Sequence, residues 1–228
     1  MLSIKTIRQD EGSVECGLIT LGMLYSYYNL NKNIDDLREE ISTVEVGTFS
    51  PQLGLNLLKN GFEVEIITRN PLLVEKKDED LSQKELLCVF EERINKYEKG
   101  TDNNIGLDYF IKFMQEGGKV KVKIPQIEDL KKELEVERPV ITFLSNASLY
   151  KENIADKLKK PFTYTFHSVL VVGVGDKGIT INDPYWGDEG GNQTYPVDEF
   201  FYAMHSSALG GTDNDCLITV KKISDSNS

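Results

Sequence analysis

Hydrophobic and polar positions recur with two different periods along the chain. Directly after Cys16, four apolar residues (Ile19, Met23, Tyr27 and Leu30) follow one another at steps of three and four, which predicts a helix with one buried face. The same helical period returns further along the first half. It predicts helices at 34–41, 50–61, 86–97 and 105–114.

Local signals set the limits of these elements in the first half. Ser50-Pro51 has the favoured order of an N-cap followed by a first-turn proline, and the glycine pair at 117–118 is a stop signal. The stretch FEVEIIT at 62–68 alternates between apolar and polar residues, which predicts a strand. Residues 71–84 are charged and carry neither period, so we predict a surface segment there.

Strand signals dominate the second half. IEDLKKELEVERP at 127–139 predicts a helix that ends at Arg138-Pro139, and VITFLSN follows at once as a buried strand. TFHSVLVVGVGDKGITINDPYWG at 165–187 predicts two strands joined by a Gly-Asp-Lys-Gly turn, and CLITVKKI predicts a closing strand. Helices first and an antiparallel sheet later favour an α+β fold.

Length and composition indicate how the chain is organised. With 228 residues, 39% of them hydrophobic and 28% charged, the chain is long and apolar enough to bury a core. We predict a single domain over 1–228, with a mainly helical lobe at 1–125, a mainly antiparallel sheet lobe at 126–223 and a polar tail at 224–228.

The charge and the apolar runs restrict location and partners. No stretch approaches the roughly 20 apolar residues of a membrane span, and the N-terminus MLSIKTIRQDEG lacks the apolar run of a signal peptide, so a cytoplasmic location is predicted. The net charge of −11 disfavours nucleic acid and anionic membranes as partners and weakly favours a basic one. The oligomeric state is left open.

The three cysteines, Cys16, Cys88 and Cys216, form an odd set at wide spacing. This pattern matches neither a disulfide framework nor a zinc site, so no metal or other cofactor is predicted and any thiol chemistry would use a free cysteine. Asp213 and Asp215 in GGTDNDC are too few for a calcium loop and predict a turn instead.

Cys16 is the candidate nucleophile because it begins a predicted helix. A thiol attacks as the thiolate, whose pKa falls at a helix N-terminus, where free N–H groups favour negative charge. Gly17 leaves room for a close approach by a substrate. The alternative is a small core residue, since buried free cysteines are mostly inert.

A nucleophilic cysteine needs a base that is held in place by a third group. Of the two histidines, His205 lies in the loop-like AMHSSAL, whereas His167 lies inside an apolar strand. His167 is therefore either that base, a core histidine with a satisfied hydrogen bond, or a strand residue that faces solvent.

Asp183 follows His167 sixteen residues later, across the predicted hairpin. A three-residue loop with Gly178 in the left-handed conformation puts the two side chains on one face of the sheet. It also leaves them about four residues out of register, roughly 13 Å apart along the strands. The hairpin thus favours proximity without establishing contact.

Taken together, these motifs resemble the papain-like cysteine peptidases, in particular the double-glycine peptidases that trim bacteriocin leaders and their free-standing relatives. The resemblance depends on Gln9, on Cys16-Gly17 at the start of an apolar helix, on ERPVITFLSN, and on FHSVLVVGVG followed by INDPYWG. It covers about residues 5–30 and 126–186. Since the sequence contains no transporter segment, we expect a free-standing member with a papain-like fold.

The resemblance also implies roles for individual residues. Cys16 would be the nucleophile, His167 the base, Asp183 its orienter and Gln9 a donor to the oxyanion. Gln9 precedes Cys16 by seven residues, one more than the family pattern. The implied reaction is cleavage of a peptide or amide bond through a thioester.

Other functions remain compatible with the same four residues. Deamidation or transfer of the acyl group would use the same chemistry, and a binding module that has lost catalysis or a structural protein would use none of it. Tyr185 and Trp186 are either a cover over the His–Asp pair or ordinary core aromatics. Specificity is expected from loops at 42–50, 145–163 and 186–195.

Overall fold

The computed structural model describes residues 1–42, 47–149 and 166–223. Its helices are α1 (Cys16–Tyr27), α2 (Ile34–Glu40), α3 (Ser50–Lys59), α4 (Gln83–Arg93), α5 (Asp102–Gln115), α6 (Ile127–Leu134), α7 (Asn146–Leu149) and α8 (Val197–Ser206). Its strands are β1 (Phe62–Thr68), β2 (Lys119–Val122), β3 (Val140–Ser145), β4 (Phe166–Gly175), β5 (Gly178–Asp183), β6 (Gly191–Tyr195) and β7 (Cys216–Lys222). Short 3₁₀ helices lie at Lys76–Asp78, Ile94–Lys96 and Ser207–Gly210.

Parts of several predicted features fall outside those ranges. The predicted polar tail at 224–228 lies outside the described residues, as do most of the predicted specificity loop 145–163 and the centre of the loop 42–50. Within the described ranges, no helix has both the length and the apolar character that crossing a membrane requires.

One seven-stranded sheet organises the molecule, in the order β2-β1-β7-β3-β4-β5-β6. Neighbouring strands are antiparallel except β1 and β2, which are parallel. The α+β class predicted from the sequence is confirmed. The strand KVKV was missed because four residues are too short for a period, although Val120 and Val122 alternate with exposed lysines as a half-buried strand requires.

Helix α1 has the predicted buried apolar face at Ile19 and Met23, and its other sides are buried as well. Every residue from Gly17 to Tyr25 is buried, because the helix contacts β4 as well as α2 and α3. The three- and four-residue spacing of large apolar side chains marks only part of this surface. Small residues such as Gly17 and Gly22 occupy the rest and let neighbouring elements approach closely.

The N-cap of helix α3 lies one residue before the predicted one. Phe49 is the N-cap, so Ser50 is already helical and the prediction of Ser50 as the cap was wrong. The Ser50 amide donates to Asp213 Oδ2 at 3.1 Å and its hydroxyl donates to the Asp213 carbonyl at 2.7 Å. The hydroxyl bonds a distant loop instead of its own helix, which no local sequence signal could indicate.

The segment 71–84 is only partly at the surface, in contrast to the prediction. Leu73 and Val74 belong to the core, and the buried carboxylate of Asp78 pairs with Arg93 at 2.6 Å. The guanidinium also donates to the Leu73 carbonyl at 2.9 Å. A buried ion pair between residues fifteen positions apart makes a charged segment part of the interior, because each charge neutralises the other.

The β4–β5 hairpin differs from the predicted one in its turn and in its register. Gly175 pairs with Gly178, so the turn has two residues and not three. A Cβ at Gly178 would lie 1.9 Å from the Tyr195 carbonyl oxygen, which explains the glycine. Between Val171 and Gly173 a β-bulge shifts the ladder by one further residue.

These two shifts decide where Asp183 lies relative to His167. With the two-residue turn alone, Asp183 would oppose Leu170, whose side chain points to the other face. With the bulge, Leu170 pairs with Asn182, so the next step brings Asp183 level with Val169 on the face of His167. The offset falls from the predicted four residues to two, about 7 Å along the strand.

Candidate active site

Cys16 is the first residue of α1 and lies against the start of β4. The Ser168 amide donates to Cys16 Sγ at 3.5 Å, and the Thr20 hydroxyl donates to the Ser168 carbonyl at 3.1 Å. At this position the backbone of β4 therefore bonds α1. The pairing of β4 with β5 runs from Gly175 to Leu170. These contacts fix the beginning of the helix beside the strand that carries His167.

The His167 imidazole is bound to Asp183 inside the protein. Nε2 of His167 lies 2.6 Å from Asp183 Oδ1, and the two residues are 3% and 0% exposed. The Tyr185 amide donates to the same carboxylate oxygen at 2.8 Å. Because Nε2 is engaged by Asp183, Nδ1 is the ring nitrogen left for the thiol.

Mutual hydrogen bonding favours the charged forms of the thiol and the imidazole. Burial acts to raise the pKa of the Cys16 thiol, but the hydrogen bond and charge of His167, with the Ser168 amide, outweigh it and lower that pKa below its usual value. Burial acts to lower the pKa of His167, yet hydrogen bonds to Asp183 and Cys16 raise it. The pair is suited to exist as thiolate and imidazolium near neutral pH.

Gln9 lies next to the same corner of the sheet. Its side chain is buried. Its main-chain N–H donates to the Pro184 carbonyl at 2.8 Å. Its Nε2 donates to the Ser13 carbonyl at 2.7 Å. The Ser13 amide bonds the Asp10 carbonyl, which closes a turn between Gln9 and Cys16.

The remaining cysteines occupy different environments. Cys88 is exposed on α4, whereas Cys216 is buried, where burial raises the pKa of its thiol well above the usual value. The Cys216 thiol donates to the Asp213 carbonyl at 3.4 Å. Cys16 differs from the buried Cys216 in having a lowered thiol pKa and a histidine partner.

Aromatic rings lie beside the His–Asp pair. Tyr185 is edge-on to the His167 ring with centroids 6.1 Å apart, and Trp186 packs on Tyr185 at 4.3 Å. Both aromatic residues are half-buried. This arrangement favours the interpretation of Tyr185 as a cover over the pair instead of an ordinary core aromatic.

The other histidine forms a second His–acid pair that sequence reasoning missed. His205 lies in α8, not in a loop, and its Nδ1 is 2.7 Å from Asp215 Oδ1. The Phe201 ring stacks on the imidazole at 5.8 Å. Asp215 lies ten residues after His205, at the end of the loop that precedes β7. No local spacing in the sequence therefore signals the contact. Among the described residues, no group of three His, Cys, Asp or Glu side chains is arranged to hold a metal ion.

A thiol at a helix start, beside a histidine held by a buried carboxylate, is the arrangement of groups that cysteine peptidases use. Residues 3–87 match the model of the family described as Peptidase C39 family. This match agrees with the resemblance drawn from the sequence, and it covers the part of the chain that carries Gln9 and Cys16.

The fold is shared with solved peptidase structures over nearly the whole chain. A putative C39-like peptidase from Bacillus anthracis is 15% identical, with 98% of this chain and 96% of that chain covered and a TM-score of 0.54. The peptidase domain of Streptococcus ComA, a bifunctional ABC transporter involved in quorum sensing, is 14% identical, with coverages of 97% and 100% and a TM-score of 0.50.

A double glycine motif protease from an AMS/PCAT transporter, solved in complex with the leader peptide, is 14% identical, with 97% and 93% covered and a TM-score of 0.48. At sequence identities of this size, structural similarity shows only that the fold is shared. The two structures with TM-scores of 0.54 and 0.50 confirm the papain-like fold predicted from the sequence. No curated protein matches the sequence.

Proposed function

We propose that the protein hydrolyses peptide bonds with Cys16 as nucleophile, His167 as base and Asp183 as the group that orients the histidine. The observation that carries this proposal is the 2.6 Å contact between His167 Nε2 and Asp183, made by an imidazole that also hydrogen-bonds the Cys16 thiol. That chain of contacts supplies both an activated nucleophile and a base in a fixed orientation.

The reaction follows from these positions. The Cys16 thiolate adds to the carbonyl carbon of the scissile bond and forms a tetrahedral intermediate with a negatively charged oxygen. The Cys16 amide lies in the first turn of α1, where N–H groups have no partner within the helix, and is available to that oxygen. Gln9 is the proposed second donor.

Collapse of this intermediate breaks the C–N bond. The His167 imidazolium gives its proton to the departing amine, which leaves a thioester on Cys16 and a neutral imidazole. His167 then takes a proton from water as the water attacks the thioester, and the acid product and the thiolate are released. Asp183 holds Nε2 throughout and stabilises each imidazolium that forms.

Peptides are the proposed substrates because the family match is to peptidases and the nucleophile is suited to acyl transfer. The chain carries a net charge of −11, so we expect a modest preference for basic peptides over acidic ones.

Selective alkylation tests the proposed nucleophile directly. With iodoacetamide on the native protein, we expect Cys16 to react well before Cys88 and Cys216, with a rate that rises through an apparent pKa below about 8.5, the value of a free thiol. Mass spectrometry of the labelled peptides measures each site. Cys88 is the internal control, since it is exposed but is not paired with a histidine in the described structure.

A His167→Gln variant sharpens the alkylation experiment. Without the imidazole, we expect the labelling rate of Cys16 at pH 6 to fall by about tenfold or more, because only the thiolate reacts. Equal labelling of all three cysteines in the wild-type protein would remove Cys16 from the mechanism.

Cleavage of a peptide library tests the reaction itself. New termini should appear with the wild-type protein and be absent with Cys16→Ala, which controls for contaminating proteases. A reactive Cys16 with no new termini would contradict peptide hydrolysis. Products joined to an added amine, in place of free acids, would show acyl transfer.

A further inference from the structure

Residues 1–9, here called the N-terminal arm, form no helix or strand and lie along the β4–β5 hairpin. Leu2 donates its amide to the Val172 carbonyl at 2.7 Å, and the Ile4 carbonyl accepts from the Asn182 side chain at 2.9 Å. At its far end, Gln9 bonds Pro184. The arm is therefore attached to both strands that carry the His167–Asp183 pair.

The first of these bonds lies at the bulge in β4. Val172 is the residue between Val171 and Gly173, where the register shifts, and a bulged residue leaves the ladder locally incomplete. The Leu2 amide satisfies the Val172 carbonyl at this point. Since the bulge brings Asp183 onto the face of His167, the arm supports the register on which the pair depends.

Arg8 makes the second connection, to the loop that follows Asp183. Its Nη1 donates to the Trp186 carbonyl at 3.3 Å and its Nη2 donates to the Gly190 carbonyl at 3.2 Å. The side chain thus joins Trp186 to Gly190, the last residue of the loop 184–190. Gly191 has a φ of +100°, and a Cβ there would lie 3.2 Å from Arg8 Nη2, so the glycine permits this approach.

The loop that Arg8 bonds is in direct contact with the candidate triad. Within it, the Tyr185 amide donates to Asp183 Oδ1 and the Tyr185 ring contacts the His167 ring. A shift of this loop would therefore change both the hydrogen bonding of the carboxylate and the cover over the imidazole. Lysine could replace only part of this function, because its single ammonium does not reproduce the planar two-armed geometry of a guanidinium.

We propose that Arg8 is a positioning residue for the triad: by bonding the Trp186 and Gly190 carbonyls it holds Tyr185 against Asp183 and thereby fixes His167 for Cys16. The proposal rests on the proposed function of that triad. Arg8 itself contacts no reacting atom.

The test measures the pH dependence of Cys16 alkylation, which needs no known substrate. In Arg8→Gln, we expect the apparent pKa of Cys16 alkylation to move upward toward that of a free thiol and the labelling rate at pH 6 to fall about three- to tenfold. Arg8→Lys should lie between Arg8→Gln and the wild type. Lys5→Gln is the matched control, because Lys5 is an exposed basic residue of the same arm, and it should behave as wild type.

The outcomes separate this inference from the proposed function. A wild-type profile in both Arg8 variants, with enhanced Cys16 reactivity intact, would overturn the positioning role alone. A wild-type protein without enhanced Cys16 reactivity would overturn both. If Arg8→Gln does not fold, Arg8→Lys decides, since an unchanged profile in that variant beside an unchanged Lys5→Gln contradicts the need for the two-armed contact.

Discussion

An Asp183→Asn protein is expected to fold and bind peptide but to turn over about 10²- to 10⁴-fold more slowly than wild type. The carboxylate holds His167 Nε2 at 2.6 Å and raises the pKa of the imidazole. An amide at this position is neutral and does not stabilise the imidazolium, and its NH₂ group favours the wrong ring tautomer. Steady-state kinetics should therefore show a loss in kcat that exceeds any change in KM.

The chain offers a matched control for this substitution. Asp215→Asn changes the buried carboxylate of the other His–Asp pair, whose 2.7 Å contact with the partly exposed His205 is similar in length. We expect Asp215→Asn to affect thermal stability more than turnover. Unchanged kinetics in Asp183→Asn, or equal losses in the two variants, would remove Asp183 from the mechanism.

The position of this carboxylate illustrates what a single sequence can and cannot predict. The strands around His167 and Asp183 follow from alternating and apolar runs, and both ends of the hairpin were predicted. Their contact depends on a two-residue turn and a bulge near Val172, each of which changes the register by one residue. One residue of register moves a side chain to the other face, so a small error in the turn becomes a large error in distance.

Main-chain contacts form a second group that the sequence could not reveal. The Ser168 amide at the Cys16 thiol and the carbonyls bound by Arg8 carry no side-chain signal. The helix start and the apolar strand selected Cys16 and His167, and the resemblance to a known family assigned their roles, because side-chain identity is what a motif records. It says nothing of the backbone groups that bring them together.

Buried polar side chains show the same limit elsewhere in the fold. A segment rich in charge predicts solvent exposure, yet Asp78 is buried because Arg93 reaches it from α4. His205 pairs with Asp215 across the loop that precedes β7. In both cases the partner lies ten or more residues away along the chain. Only the tertiary fold brings the two side chains together, and their pairing offsets the desolvation cost of the buried charge.

Gln9→Ala is expected to lower turnover by about 10²- to 10³-fold, the usual loss for one oxyanion donor. In the structure Nε2 donates to the Ser13 carbonyl, and since an amide nitrogen carries two protons, a second donor remains on the same atom. The main-chain N–H of Gln9 donates to the carbonyl of Pro184, the residue next to Asp183. This anchor restricts the side chain to the neighbourhood of the triad.

Comparison of kcat for Gln9→Ala and Gln83→Ala separates oxyanion stabilisation from loss of a hydrogen bond between a glutamine side chain and the backbone. Gln83 also uses its amide to bond backbone, at Val120 on the far edge strand β2, and its replacement should leave kcat unchanged. A nearly silent Gln9→Ala, beside an inactive Cys16→Ala, would show that the bond to Ser13 is the whole role of Gln9. Another group would then serve the oxyanion together with the Cys16 amide, and the extra residue between Gln9 and Cys16 would mark a real departure from the family.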